Sequence, residues 1–175
     1  GVGIHLQHKR RNMKNLILEI NREDVLEHIY KSSAYTARSR EAMGIPVSVC
    51  DTMQATTDNA NIIEPLLEKS VVETESIIRE YFQGNTIVQK EKENGIYYEF
   101  EIPVPGNFPE GCKANLEKLI GDYMAQRTMH QWYIVVKPDE AGIAATVVNE
   151  TAANIRRLLT TREKPHMTST QTEQE

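Results

Sequence analysis

Between Leu116 and Leu159 the chain carries two apolar stripes at helical spacing, interrupted once by Lys137-Pro138-Asp139-Glu140. The first stripe, within a helix expected over about 111–134, runs through Leu116, Leu119, Ile120, Tyr123, Met124 and Met129. The second runs through Ala141, Ala144, Ala145, Val148, Ala152, Ile155, Leu158 and Leu159. A proline at an early position and acids in the first turn suit a helix start at 138. The small residues of the second stripe permit close helix approach. Trp132, Ile134 and Val135 are then expected to end the first of these helices inside the fold, with the Lys-Pro corner turning the chain. Trp132 also has a competing reading as an intersubunit anchor, because aromatic side chains are enriched at interface hot spots.

The same periodicity recurs upstream. Asn21 can cap a helix whose face is Val25, Leu26, Ile29, Tyr30 and Ser33, stopped by Gly44 and Pro46. A second helix is expected within 56–83, on Ile62, Ile63, Leu66, Leu67, Ser70, Ile77, Ile78 and Tyr81. Pro65 either belongs to its first turn or kinks it. Residues 45–53 read as a link, and 16–20, LILEI, as a short strand or an apolar lead-in. In 86–104 two β-prone runs flank Asn94-Gly95, a strong hairpin signal. Tyr98, Phe100 and Ile102 alternate with Glu99 and Glu101, which leaves one face wet, and Tyr97 lies on the opposite side from Tyr98. A lone ribbon is marginal unless it packs or finds a partner. Tyr97, Tyr98, Phe100, Ile102 and Trp132 are therefore candidate interface residues.

The expected architecture is mainly α, a four-helix bundle-like domain with an inserted β-hairpin arm. Its parts are a flexible extension (1–15), an N-terminal helical part (16–84), the arm (85–105), a helical pair completing the domain (106–163) and a disordered tail (164–175). Met13-Lys14 resembles a natural start, making 1–12 a leader or an upstream extension. A length of 175 residues suits one domain. With three Phe and one Trp, aliphatic side chains must fill most of the core.

Chemistry is sparse. Cys50 and Cys112 form no CxxC pair, and two free thiols fit a reducing compartment. No apolar run reaches membrane-spanning length. None of HExxH, a Walker loop, GxSxG or a glycine-rich dinucleotide loop is present. His5 and His8 lie in the leader and His166 in the tail; His130 has a poor helical metal set. His28 shares a helix face with Asp24, which reads as a surface ion pair, since zinc needs three or four ligands. The acids Glu73, Glu80, Glu91 and Glu93 read as solvated. Cys112 sits at a helix N-terminus beside Lys113, a setting that can activate a thiol, but no histidine base is placed by sequence. Neither catalysis nor a cofactor or metal is expected. The formal charge of −5 argues against a general nucleic-acid binder. Two basic clusters remain, Lys9, Arg10, Arg11 and Lys14 in one, Arg156, Arg157, Arg162 and Lys164 in the other. Either can meet phosphate backbone, though neither is interleaved with aromatics for stacking.

One resemblance stands out. Trp132, the Pro138-Asp139-Glu140-Ala141 corner, the small-residue helix, Ile155-Arg156-Arg157-Leu158-Leu159 and the stop Arg162-Glu163-Lys164-Pro165 together resemble the C-terminal end of tailed-phage head–tail connector (adaptor, neck) proteins. The likeness covers 132–165, about one fifth of the chain. It implies a virion protein, in the host cytoplasm during assembly, that forms a ring, commonly dodecameric, between portal and tail-completion proteins. It also implies passing contact with DNA in a channel, no membrane partner and no catalytic residue. Its rivals are a non-viral helical adaptor that binds partner proteins, and a small enzyme using Cys112 or Cys50.

Overall fold

The structure, a computed structural model, describes residues 12–164. It is a mainly helical domain with a small three-stranded antiparallel sheet. Strand β1 (Met13–Asn21) leads directly into helix α1 (Arg22–Ala42), followed by the short α2 (Val47–Met53), a 3-10 turn (Thr57–Asn59) and α3 (Ala60–Arg79). Strands β2 (Thr86–Lys92) and β3 (Gly95–Pro105) come next, then a second 3-10 turn (Glu110–Cys112), α4 (Lys113–Val136) and α5 (Pro138–Leu159).

Local chemistry accounts for most of these boundaries. Asn21 caps α1 as expected, its Oδ1 accepting from the N–H groups of Glu23 (2.9 Å) and Asp24 (3.3 Å). Gly44, at φ 95°, takes the left-handed conformation that follows α1. Pro138 occupies the first turn of α5, ahead of Asp139 and Glu140. Pro65 lies inside α3, not in its first turn. The stretch 45–53, read as a plain link, contains a two-turn helix.

The hairpin is not an arm. The sheet order is β1-β3-β2, so β3 is the central strand. Leu16 faces Ile102, Leu18 faces Phe100 and Ile20 faces Tyr98 in the β1/β3 register. These residues and Val104 form a buried inner face, while Ile17, Glu19, Glu99 and Glu101 line the wetter side. Burying a large apolar side chain is worth about 1.5–3 kcal/mol. Lifting Tyr98, Phe100, Ile102 and Val104 out would cost about 6–12 kcal/mol, comparable to the whole stability of a domain, about 5–15 kcal/mol. Residues 13–15, assigned to a flexible extension, are the first rungs of β1, because a third strand relieves the marginality of an isolated ribbon. The hairpin turn is also displaced by one residue. Lys92 pairs with Gly95, leaving Glu93 and Asn94 as the loop. Gly95 alone there carries a positive φ, 117°.

Helix α4 is the centre of the packing. It contacts α1, α3, α5 and β1, and Leu116, Ile120, Met124, Ala125 and Trp132 are among its buried residues. Gly121 of α4 faces Ile20 of β1, where an added Cβ would make only ordinary van der Waals contact, at 3.7 Å. Helix α5 lies chiefly along α4.

Candidate functional site

The corner at 130–142 resolves into two different environments. Trp132 is 4% exposed, and its indole N–H donates to the Met53 carbonyl at 2.8 Å. Ile134 and Val135, expected inside, are instead exposed, Val135 by 77%. Helix geometry sets this division: Trp132 and Tyr133 point inward, and the next two residues rotate past the contact.

Beside this corner lies a groove of about 160 Å³. Thr36 and Arg40 of α1 form one wall, Gln126, Met129 and Tyr133 of α4 the floor. Glu140, Ile143, Ala144 and Val147 of α5 form the other wall. Ile143 and Val147 are exposed apolar residues one helical turn apart. Arg40 closes one end through a two-pronged pair with Glu140, Nη2 to Oε2 measuring 3.2 Å. Glu140 is almost fully buried. Tyr133 is 2% exposed, and its hydroxyl is buried beside the Thr36 side chain. Burial raises its pKa; the Thr36 side chain and the Arg40 charge oppose the rise, and the nearby Glu140 carboxylate adds to it. The site is thus a mainly apolar slot, closed at one end by the Arg40–Glu140 pair. Sequence reasoning missed it because its walls come from residues about 100 positions apart. Tyr133, directly after Trp132, was the one signal at hand.

The interface candidates from sequence fall mostly inside the protein. Tyr98, Phe100, Ile102 and Trp132 are all buried within the chain, so none is free at the surface, and only Tyr97 is part-exposed. Tyr98 has a polar role: its hydroxyl donates to Glu68 (2.5 Å) and accepts from Arg22 (3.2 Å), and Arg22 also approaches Glu64. Desolvation first, then the Glu68 carboxylate, holds the Tyr98 pKa far above the ordinary phenol range.

Of the C-terminal basic candidates, Arg156 makes a two-pronged pair with Glu80 (3.0 and 3.1 Å). Hydrogen bonding to Arg156 lowers the Glu80 pKa. The Arg162 guanidinium stacks 5.6 Å and 5.7 Å from the Phe82 and Phe108 ring centres. Arg157 and Lys164 are exposed. Lys14, from the other cluster, pairs with Glu110 at 3.0 Å and donates to the Phe108 carbonyl. Lys9, Arg10, Arg11, His5, His8 and His166 lie outside the described residues.

Two acids expected to be solvated are paired across helices: Glu80 with Arg156, and Glu73 with Arg127 at 2.6 Å. Arg127 also donates to His130 Nδ1 (2.6 Å). His28 faces Asp122 of α4 at 3.6 Å, not Asp24 in its own helix. Cys50 is buried and Cys112 half-buried, both free, and among the described residues no histidine hydrogen-bonds either sulfur. Among the described residues no group of three His, Cys, Asp or Glu side chains is placed to hold a metal, and no helix is long and apolar enough to cross a membrane. No protein-family model, curated protein or solved structure matches this chain.

Proposed function

We propose that this chain is a structural protein that works by docking to other protein chains, as a component of a tailed-phage head–tail connector. The geometry supports the docking half of this reading through one observation. The groove between α1 and α5 has exposed Ile143 and Val147 on its rim and the apolar side chains of Met129 and Ala144 along it. An unfilled apolar slot with exposed aliphatic side chains on its rim suits a partner's side chains. The phage context is supported by the resemblance of residues 132–165 to connector proteins. In this reading α1, α3, α4 and α5 are the four-helix bundle-like body of a subunit, and copies assemble into a ring, dodecameric in the common case. The ring meets portal and tail-completion proteins in the virion, after assembly in the host cytoplasm. Contact with DNA in the channel falls to Arg157 and Lys164, because Arg156 and Arg162 are already engaged within the chain. No catalytic step is assigned.

The test is native mass by light scattering with negative-stain imaging, of the protein alone and mixed with a candidate portal protein. A closed ring of many copies, or a complex with the portal, supports the connector reading. A chain that forms neither overturns it. A non-viral adaptor would use the same groove without forming a ring.

A further inference from the structure

Two short stretches of the last two helices follow one pattern. Asn115-Leu116-Glu117-Lys118-Leu119 in α4 and Asn154-Ile155-Arg156-Arg157-Leu158 in α5 each run asparagine, aliphatic, charged, basic, leucine. Leu116 and Ile155, at the second position, are fully buried. Glu117 and Arg156, at the third, turn elsewhere, Glu117 to the Glu19 N–H and Arg156 to Glu80. The first, fourth and fifth positions share a helix face, being spaced i, i+3 and i+4. Helices α4 and α5 run antiparallel from the Lys137 corner, and Lys118 and Arg157 lie almost equally far from it in sequence. Packing therefore brings the two stretches to one level, where Asn115, Lys118, Leu119, Asn154, Arg157 and Leu158 line a cavity of about 290 Å³.

This lining is rich in donors and holds no carboxylate. Lys118 pairs at 3.0 Å with Asp122, one turn along α4 and outside the lining. Among the described residues no side chain pairs with the Arg157 guanidinium, and none hydrogen-bonds either carboxamide. Two positive charges and two amide NH₂ groups thus surround one recess on a chain whose formal charge is −5. A guanidinium offers parallel N–H groups that match phosphate oxygens, an ammonium adds a point charge, and a carboxamide adds two further donors. A cavity of about 150 Å³ holds a benzene ring, so this recess has room for a phosphate group and the carbon atoms next to it, against Leu119 and Leu158. We propose that the α4/α5 cavity is a phosphate-binding site, in which Arg157 and Lys118 neutralise the anion and Asn115 and Asn154 donate to its remaining oxygens. The basic cluster visible in the sequence is not this site: Arg156 and Arg162 are engaged within the chain, and Lys118 comes from another helix. The site does not rest on the connector reading, because the phosphate can belong to a nucleic-acid backbone or to a free ligand.

Inorganic phosphate titrated into the full chain at low ionic strength tests the site, followed through the side-chain amide resonances of Asn115 and Asn154. Both should shift along one saturating curve. Arg157→Gln should weaken binding about 10-fold or more, because charge-assisted bonds are lost. Arg157→Lys, which keeps the charge and loses the fork, should weaken it about 3-fold. Arg38→Gln removes the same charge from an exposed position on α1 and should leave binding unchanged. Fluorescence anisotropy with a short DNA duplex separates the two sources. DNA affinity that falls in Arg157→Gln but not in Arg38→Gln assigns the phosphate to a nucleic-acid backbone. Phosphate binding with no DNA affinity that depends on Arg157 assigns it to a free phosphate ligand. Amide shifts that never saturate with phosphate overturn the proposal whatever the DNA result. Equal losses of phosphate binding in Arg157→Gln and Arg38→Gln also overturn it, because the charges would then act only through the field of the whole surface.

Discussion

The indole N–H of Trp132 donates to the main-chain carbonyl of Met53, the last residue of α2, at 2.8 Å and out of contact with water. Terminal carbonyls of a helix have no partner within it, so one side chain of α4 completes α2 and fixes how it docks. Trp132→Phe keeps an aromatic ring but removes the donor and leaves a void. The orphaned carbonyl and the lost contacts together should cost about 2–4 kcal/mol. Urea unfolding should show a lower midpoint at an unchanged slope. A loss under about 0.5 kcal/mol would mean that the Trp132–Met53 bond does not hold α2 in place.

Arg40 and Glu140 are joined but unequally exposed. Glu140 is almost buried, whereas Arg40 retains about a quarter of its side-chain exposure. Removing the arginine leaves a carboxylate in the interior, and removing the carboxylate leaves a guanidinium that can turn to water. Arg40→Met should therefore destabilise by about 3 kcal/mol or more, and Glu140→Gln by about 1 kcal/mol. Equal losses, measured by thermal or urea unfolding, would contradict this asymmetry.

The long helices were legible because each carries its own apolar period and its own punctuation. Asn21, Gly44 and Pro138 act within a turn of where they stand in sequence. The sheet was only half legible: Asn94-Gly95 announces the hairpin, but nothing near it reveals that β1, more than 70 residues earlier, pairs with β3. That pairing turned a supposed arm into core and took Tyr98, Phe100 and Ile102 off the list of surface contacts. The groove was invisible for the same reason. Its parts are ordinary residues of three helices, and only tertiary packing brings them together. Long-range ion pairs such as Arg156–Glu80 likewise have no local signal.

Pro65 interrupts the ladder of α3. It has no N–H to offer the Asn61 carbonyl, yet both residues are exposed, so water can serve that carbonyl. The penalty of a helical proline, about 3 kcal/mol in a full interior, is thereby reduced. It is also partly offset by the stiffer unfolded chain, worth about 0.4–1 kcal/mol. Pro65→Ala should raise stability by about 1–2 kcal/mol, read as a higher Tm. A lower Tm would show that the proline bends α3 onto its neighbours.

His130 accepts from Arg127 through Nδ1, because a guanidinium can only donate. Its proton must then sit on Nε2, and a second proton would face the arginine's charge. Burial first, then the Arg127 charge, lowers its pKa, and the Glu73 carboxylate opposes them in part. A histidine depressed in the folded state contributes no penalty above its unfolded pKa of about 6.5. Below that pH the unfolded chain binds a proton that the folded chain resists, so stability falls as pH drops from about 6.5 through the lower folded value. His130→Asn retains an oxygen that can accept from Arg127 but cannot titrate. The stability difference between wild type and this variant, measured by urea unfolding from about pH 7.5 down to about pH 5, should shift in favour of the variant as the pH falls. A difference that stays constant across this range would mean that His130 titrates as it does in the unfolded chain and that the Arg127 contact does not hold it neutral.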